Sequence, residues 1–245
     1  MAKAGKTRAR AKSRGRASRR WLWRMAALAV LFAIAFAGWL WWDMREWRPD
    51  EVLYPEQGAL VPASGGEVRF ATLKAVGAQF VYLPLVAGPV AAAPGGFADR
   101  FARAREAGLQ VGVMLDFDPC ARADMQSGAF AQMVPRDGDL LPPAIGLARL
   151  ADGCTPAVSD AAVESELMTL INQIETHAGK RVILKLSPAF QDRHNTATTL
   201  TRDLWLARDR ARPDYAGRPW LLWSANSALV TEASEEPVEW VVVQK

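Results

Sequence analysis

Cysteine and histidine are scarce in this 245-residue chain, which contains two of each. Cys120 and Cys154, like His177 and His194, are not spaced as the ligands of a zinc site. No serine or cysteine lies in a Gly-x-Ser-x-Gly elbow, which argues against a hydrolase with an activated serine. No glycine-rich loop for binding phosphate is present. The sequence therefore predicts neither a metal centre nor a cofactor.

Acidic residues are missing from the first 24 positions, which contain ten lysines or arginines. The remainder of the chain has 20 basic and 26 acidic residues, a net charge of about −6. A mildly acidic domain gives no reason to expect nucleic-acid binding. Residues 1–20 show no apolar periodicity, so we expect a disordered, basic cytoplasmic tail there.

The basic segment is followed at once by an apolar run, Met25–Trp42. Eighteen helical residues at about 1.5 Å each span about 27 Å, close to the hydrocarbon thickness of a bilayer. Tryptophans flank the run at both ends, as in interfacial aromatic belts; these are Trp21, Trp23, Trp39, Trp41 and Trp42. We predict a single-pass inner-membrane anchor over residues 21–42, with a cytoplasmic amino terminus and a periplasmic or extracellular domain. The alternative is a signal peptide cleaved after Ala35-Phe36-Ala37.

After a polar linker over residues 43–56, residues 57–245 alternate short apolar runs with amphipathic ones. Such alternation predicts an α/β fold with a parallel sheet, although periodicity does not separate a barrel from a doubly wound sheet. The predicted strands are Ala59–Val61, Gln79–Val86, Gln110–Phe117, Leu141–Leu150, Arg181–Leu186, Asp203–Ala207, Trp220–Ser224 and Val238–Val243. The predicted helices are Val68–Val76, Phe97–Ala107, Ala121–Val134 and Ser159–Ala178.

Six pieces of this domain, in this order, carry a family resemblance. They are YPEQG (54–58), QFVYLPLVAG (79–88), REAGLQVGV (105–113), LPPAIGLA (141–148), DLWLA (203–207) and GRPWLLW (217–223). With them the chain resembles the lysozyme-like muramidases of glycoside hydrolase family 25, from about Tyr54 to Gln244. The resemblance implies an irregular TIM-like β/α barrel of about eight strands, with fewer helices toward the carboxyl terminus. It also implies that groups acting on a ligand lie where the strands end.

The resemblance further implies where catalytic acids should stand, and they are absent. In the family a strand introduced by two prolines ends in an Asp-x-Glu pair, which here falls on Gly146 and Ala148. Two further acid positions of the family fall on Leu60 and Ala87. Glycoside hydrolysis needs one group to protonate the leaving oxygen and another to stabilise or attack the oxocarbenium ion. Alkyl groups do neither, so we expect no catalytic residue at these positions.

Other acids are candidates for a relocated catalytic pair. Asp116 lies at the end of the third predicted strand, and Asp209 lies just after the sixth. The alternative is that both are solvated or cap loops. Glu235, Glu236 and Glu239 are interpreted as a solvated charge run beside the last strand.

Aromatic residues on the strands are candidates for binding a glycan. Tyr82, Trp205 and Trp223 would stack on sugar rings if they face the rim of a barrel, but tryptophan on a strand also fills cores. The two cysteines are either buried thiols or, if the domain is exported, a disulfide between Cys120 and Cys154.

Three functions remain open at this stage. The first is a catalytically degenerate, membrane-anchored domain that binds peptidoglycan or another envelope glycan, or acts as a scaffold. The second is an active glycan hydrolase that uses relocated acids. The third is an interaction module for another envelope protein, with no glycan site.

Overall fold

The computed structural model describes residues 12–63, 66–85 and 96–244, with side chains from residue 21 onward. The chain forms two compact units, Met1–Arg45 and Glu46–Lys245. The candidate acid position Ala87 lies outside the described residues.

The first unit contains one long helix, α1 (Lys12–Met44). Its apolar part, Trp21–Met44, contains an 18-residue window with a mean hydropathy of 2.0 and no buried residue, so its length and composition suit a membrane span. Residues 12–20 are helical rather than disordered, while residues 1–11 lie outside the described part. Alanine, lysine and arginine are good helix formers, and extending an existing helix is far easier than nucleating one.

The second unit is a closed barrel of eight strands in sequential order, which confirms the predicted TIM-like architecture. The first seven strands run parallel to their neighbours, whereas the eighth pairs antiparallel with both the seventh and the first. The strands are β1 (Gln57–Leu60), β2 (Phe80–Leu85), β3 (Gln110–Asp116), β4 (Ala144–Leu147), β5 (Ile183–Leu186), β6 (Asp203–Ala207), β7 (Leu222–Leu229) and β8 (Val238–Val243).

Helices surround the first part of the barrel and are short or missing in the last part. They are α2 (Phe70–Ala75), α3 (Phe97–Glu106), α4 (Ala123–Met133), α5 (Asp160–Ala178), α6 (Pro188–His194) and α7 (Thr196–Thr199). The longest, α5, begins where the Ser159 hydroxyl accepts a hydrogen bond from the Ala162 amide and ends at Gly179, whose φ is +66°. No helix lies between β6 and β8, a part of the chain that the structure describes in full.

Side chains alternate between the inside of the barrel and the layer under the helices. The inner set is aromatic on one side, where Phe80, Tyr82 and Trp205 pack together. Tyr82 lies across Gly112, where an added Cβ would be 2.4 Å from its ring. Glycine on a neighbouring strand therefore makes room for a large ring inside a narrow barrel.

The fourth predicted strand, Leu141–Leu150, is shorter in the structure. The observed strand is Ala144–Leu147: residues 144–146 pair with β3, and residues 144–147 pair with β5. Pro142 and Pro143 have no amide hydrogen to donate to a ladder, so they lead into the strand without belonging to it.

Candidate functional site

The candidate site lies at the carboxyl-terminal end of the parallel strands. Asp116, the last residue of β3, is in register with Gly146 on β4, which is in register with Lys185 on β5. Trp205 on β6 follows Lys185 in the same row. Since β8 runs antiparallel, its second residue, Glu239, also lies at this end. We call Asp116, Lys185, Glu239, Ser224 and Trp205 the mouth network.

The centre of the mouth network is an ion pair. Lys185 Nζ lies 2.6 Å from Glu239 Oε2, and the two side chains are only 18% and 17% exposed. The Ser224 hydroxyl donates a hydrogen bond to Glu239 Oε1, and the Trp205 indole N–H donates to Ser224 Oγ at 2.6 Å. The Lys185 ammonium also lies 5.0 Å from the centre of the Trp205 ring. Glu239 is thus held by two donors that are themselves fixed.

Asp116 differs from Glu239 because its side chain is exposed at the mouth. Partial desolvation by the surrounding barrel raises the pKa of the Asp116 carboxyl, the nearby Lys185 lowers it, and the charge of Glu239 raises it again. The net direction of the pKa is upward. The mouth therefore contains two carboxyl groups and one ammonium, and Asp116 is the group that a ligand reaches most easily.

Of the four positions that the resemblance predicts for the family's acids, three lie in the described part of the chain, and none of the three carries an acid. Leu60 is buried inside the barrel, Gly146 is buried on β4, and Ala148 is exposed just beyond β4. The space beside Gly146 is not empty, however. A Cβ placed there would lie 2.1 Å from Asp116 Oδ1.

Asp209, the other acid considered as a relocated catalytic group, has a structural contact. Its carboxylate accepts hydrogen bonds from the Ser227 amide at 2.8 Å and from the Ser227 hydroxyl at 3.0 Å. These bonds fasten the turn after β6 to β7. Among the described residues, Asp209 makes no contact with the mouth network.

The three aromatic candidates for sugar stacking are buried, which corrects their predicted role. Tyr82 is 2% exposed, Trp205 is not exposed and Trp223 is 3% exposed. Trp223 faces the layer outside the barrel, where its ring meets that of Tyr54 at 5.5 Å. Their apolar surface packs in the core instead of facing solvent, and of the three only Trp205 belongs to the mouth network.

A disulfide joins Cys120 to Cys154 at the same end of the barrel. Cys120 follows β3, and Cys154 follows a 3₁₀ turn at Ala151–Gly153, after β4. The disulfide connects the loops beyond Asp116 and Gly146, and an ion pair of 2.8 Å between Arg149 and Asp118 joins the same two loops. These contacts restrain the edge of the mouth.

Sequence reasoning missed Lys185, Ser224 and Glu239. The interpretation of Glu239 as part of a solvated charge run is wrong, because it lies within β8 and is paired, whereas Glu235 and Glu236 are exposed before the strand. A signal was available: ILKL (183–186) and VEWVVV (238–243) each contain one charged residue within an otherwise apolar strand. Charges in such positions need a partner.

No group of three or more histidine, cysteine, aspartate or glutamate residues in the described part of the chain is arranged to hold a metal ion. His194 is buried, with Nδ1 3.5 Å from Glu164 Oε1. His177 lies on α5 and contacts the Val134 carbonyl oxygen at 2.8 Å. Both histidines have structural contacts outside the mouth network.

Comparison with known proteins gives a consistent picture. The family model described as glycosyl hydrolases family 25 matches residues 61–230. A family 25 glycosyl hydrolase from Bacillus anthracis has a similar structure with a TM-score of 0.69 at 21% identity, covering 82% of this chain and 93% of that one. A bacterial lysozyme from Streptomyces coelicolor has a TM-score of 0.63 at 15% identity, covering 78% and 92%. A spore cortex lytic enzyme from Clostridium perfringens has a TM-score of 0.61 at 16% identity, covering 80% and 69%. Comparison with curated proteins finds no significant match.

Proposed function

Because the chain belongs to glycosyl hydrolase family 25, we propose that it is a membrane-anchored, exported domain that binds peptidoglycan without cleaving it. Lysozymes and a spore cortex lytic enzyme are among its structural neighbours, which supports a cell-wall glycan as the ligand. The ligand lies against the mouth of the barrel, where the groups that contact ligands are found in this architecture.

One observation supports the proposal that the domain does not cleave glycans: the carboxylate of Glu239 is bound by Lys185 and Ser224. Hydrolysis of a glycosidic bond requires two carboxyl groups with separate tasks, one as acid and one as base or nucleophile. Both oxygens of this carboxylate are occupied, one by an ammonium 2.6 Å away and the other by a hydroxyl donor, so neither is available to attack a sugar or activate a water molecule. Asp116 is then left as a single acid with no free second carboxylate in the mouth network.

A second candidate function, hydrolysis by Asp116 and Glu239, is favoured by one specific observation. The pKa of Asp116 is raised by partial desolvation, as expected of a general acid that must hold a proton near neutral pH. In this alternative, ligand binding displaces Lys185 from Glu239 and frees the second carboxylate. The pair would then be Asp116 and Glu239, and not Asp116 and Asp209.

The experiment that tests both functions uses purified peptidoglycan and the exported unit, residues 46–245. Co-sedimentation without release of reducing sugar supports the non-hydrolytic binder. Sugar release that is lost in both Asp116→Asn and Glu239→Gln supports the hydrolase and contradicts the binder. If the unit neither co-sediments with peptidoglycan nor releases sugar, but crosslinks to an envelope protein, the result would support an interaction module.

The membrane anchor and its orientation belong to the same proposal. The apolar helix Trp21–Met44 follows a strongly basic segment, which favours retention of the amino terminus in the cytoplasm. The disulfide fits an oxidising compartment. Alkaline phosphatase fused after Lys245 should be active in intact cells. An inactive phosphatase fusion, together with fluorescence from green fluorescent protein fused at the same position, would contradict the orientation. Recovery of a mature form that lacks α1 would instead identify a cleaved signal peptide.

A further inference from the structure

The contact between Asp116 and Gly146 is closer than any side chain at position 146 would allow. A Cβ on Gly146 would lie 2.1 Å from Asp116 Oδ1 and 3.3 Å from its Cγ, whereas the Asp116 Cα is at an ordinary 3.6 Å. The two backbones thus leave enough room, and only the carboxylate lies in the way. The Asp116 carboxylate therefore occupies the space that a side chain at position 146 would need.

The barrel contains two similar contacts with a different meaning. Phe80 lies across Gly58 and Tyr82 lies across Gly112, in each case with a ring atom within 2.5 Å of the added Cβ. Both rings are buried, so those glycines serve the packing of the core. Asp116 is charged and exposed, and it adds no apolar contact.

The position of the Asp116 carboxylate is electrostatically unfavourable for the folded protein. Desolvation opposes its ionisation most, Lys185 favours ionisation but is also bonded to Glu239 at 2.6 Å, and the charge of Glu239 opposes ionisation again, so that the net pKa is raised. Groups held in positions that do not favour stability are typical of functional sites.

We propose that Gly146 and Asp116 form a functional pair, in which the missing side chain of Gly146 positions the Asp116 carboxylate as a hydrogen-bond acceptor for the glycan. This inference rests on the proposed function. A ligand that brings hydroxyl or amide N–H donors satisfies Asp116, whereas a ligand that brings a carboxylate is repelled by the ionised Asp116, whose charge has no cation of its own in the mouth network because Lys185 is paired with Glu239. Asp116 is therefore a specificity-determining residue, and Gly146 is a positioning residue that acts through it.

A double-mutant cycle tests the pair in the full-length chain in detergent micelles, with an N-acetylglucosamine tetramer and sedimented peptidoglycan as probes. We expect Asp116→Asn to weaken binding about 10-fold or more, as for loss of a hydrogen bond to a charged group. Gly146→Ala should weaken binding by a similar factor, because the methyl group displaces the carboxylate. The double variant should be no worse than either single variant, since both remove the same contact.

Matched controls separate this effect from general damage. Gly128→Ala adds a methyl group where nothing lies within 4 Å. Asp203→Asn removes an exposed aspartate at the opposite end of the barrel, where β6 begins. Both controls should bind like the wild type. Additive losses in the double variant would overturn the pairing, because Gly146 would then act independently of Asp116.

A measurement without ligand distinguishes failure of the pair from failure of the proposed function. The ¹³Cγ resonance of Asp116, assigned by its absence in Asp116→Asn, reports its titration midpoint. In Gly146→Ala the midpoint should fall, because the displaced carboxylate regains water. An unchanged midpoint with unchanged binding would overturn the pair. No binding by the wild type, with a shifted midpoint in Gly146→Ala, would overturn the proposed glycan contact and leave the geometric coupling in place.

Discussion

Replacement of Lys185 by methionine tests whether the mouth network is a stabilising unit. The variant keeps much of the side-chain volume but removes the ammonium that lies 2.6 Å from Glu239. Glu239 would then keep the Ser224 hydroxyl as its only other donor in the mouth network. Removing one partner of a fully buried pair costs about 3–5 kcal/mol. Nearly a fifth of each side chain reaches solvent, so water screens part of the unpaired charge. We therefore expect a smaller loss of stability, about 2–3 kcal/mol.

The assay is urea unfolding of residues 46–245, followed by tryptophan fluorescence. A loss of about 2–3 kcal/mol corresponds to a fall in Tm of about 5–10 °C for a domain of this size. The double variant Lys185→Met/Glu239→Gln should recover to within about 1 kcal/mol of the wild type, because no unpaired charge remains. Lys74→Met removes an exposed lysine bonded to the Gly108 carbonyl oxygen and should change stability by about 0.5 kcal/mol or less.

Two results would refute this reasoning. A loss below about 0.5 kcal/mol in Lys185→Met would place the pair among ordinary surface ion pairs. A double variant as unstable as the single one would mean that lost packing, and not the unpaired carboxylate, causes the effect.

Three further perturbations have defined outcomes. Replacing Cys120 and Cys154 by alanine opens a loop of sequence separation 34 and should cost about 4 kcal/mol on the chain-entropy model; an unchanged Tm would contradict this. The raised pKa of Asp116 makes the folded state bind more protons than the unfolded state just above pH 3.8, so stability should decline as pH rises through that window. Asp116→Asn should remove this decline, and an identical pH profile would contradict the reasoning. Trp205→Phe deletes the 2.6 Å indole bond to Ser224 and should cost about 1–3 kcal/mol in urea unfolding of residues 46–245; an unchanged unfolding midpoint would contradict this.

Much of the fold followed from local patterns. The predicted strand Asp203–Ala207 has the same bounds in the structure, and α5 begins one residue after its predicted start because Ser159 is its cap. The short helices α6 and α7 were not predicted, since four to seven residues carry too little periodicity to be recognised. The choice of a barrel came from the family resemblance, as strand and helix patterns alone fit an open sheet equally well.

The candidate site was predicted only where it depends on one strand. Asp116 could be recognised because it ends a strand, and strand ends line the mouth of a barrel. Lys185 and Glu239 are 54 positions apart, and they meet only because β8 runs antiparallel and returns Glu239 to the same end. The residue pattern of β8 does not show that the strand runs antiparallel to its neighbours, so Glu239 was interpreted as a solvent-exposed charge.

The position of β8 also has a consequence for how the domain is assembled. Its ladder with β1 joins the first strand of the barrel to the last one, with Gln57 opposite Val242. Until that late segment arrives, β1 and β7 present open hydrogen-bonding edges to any other chain nearby, and pairings between such distant segments form slowly. The nascent domain is therefore most prone to aggregation just before the barrel closes. Chaperones that cover unpaired strand edges would act at that stage.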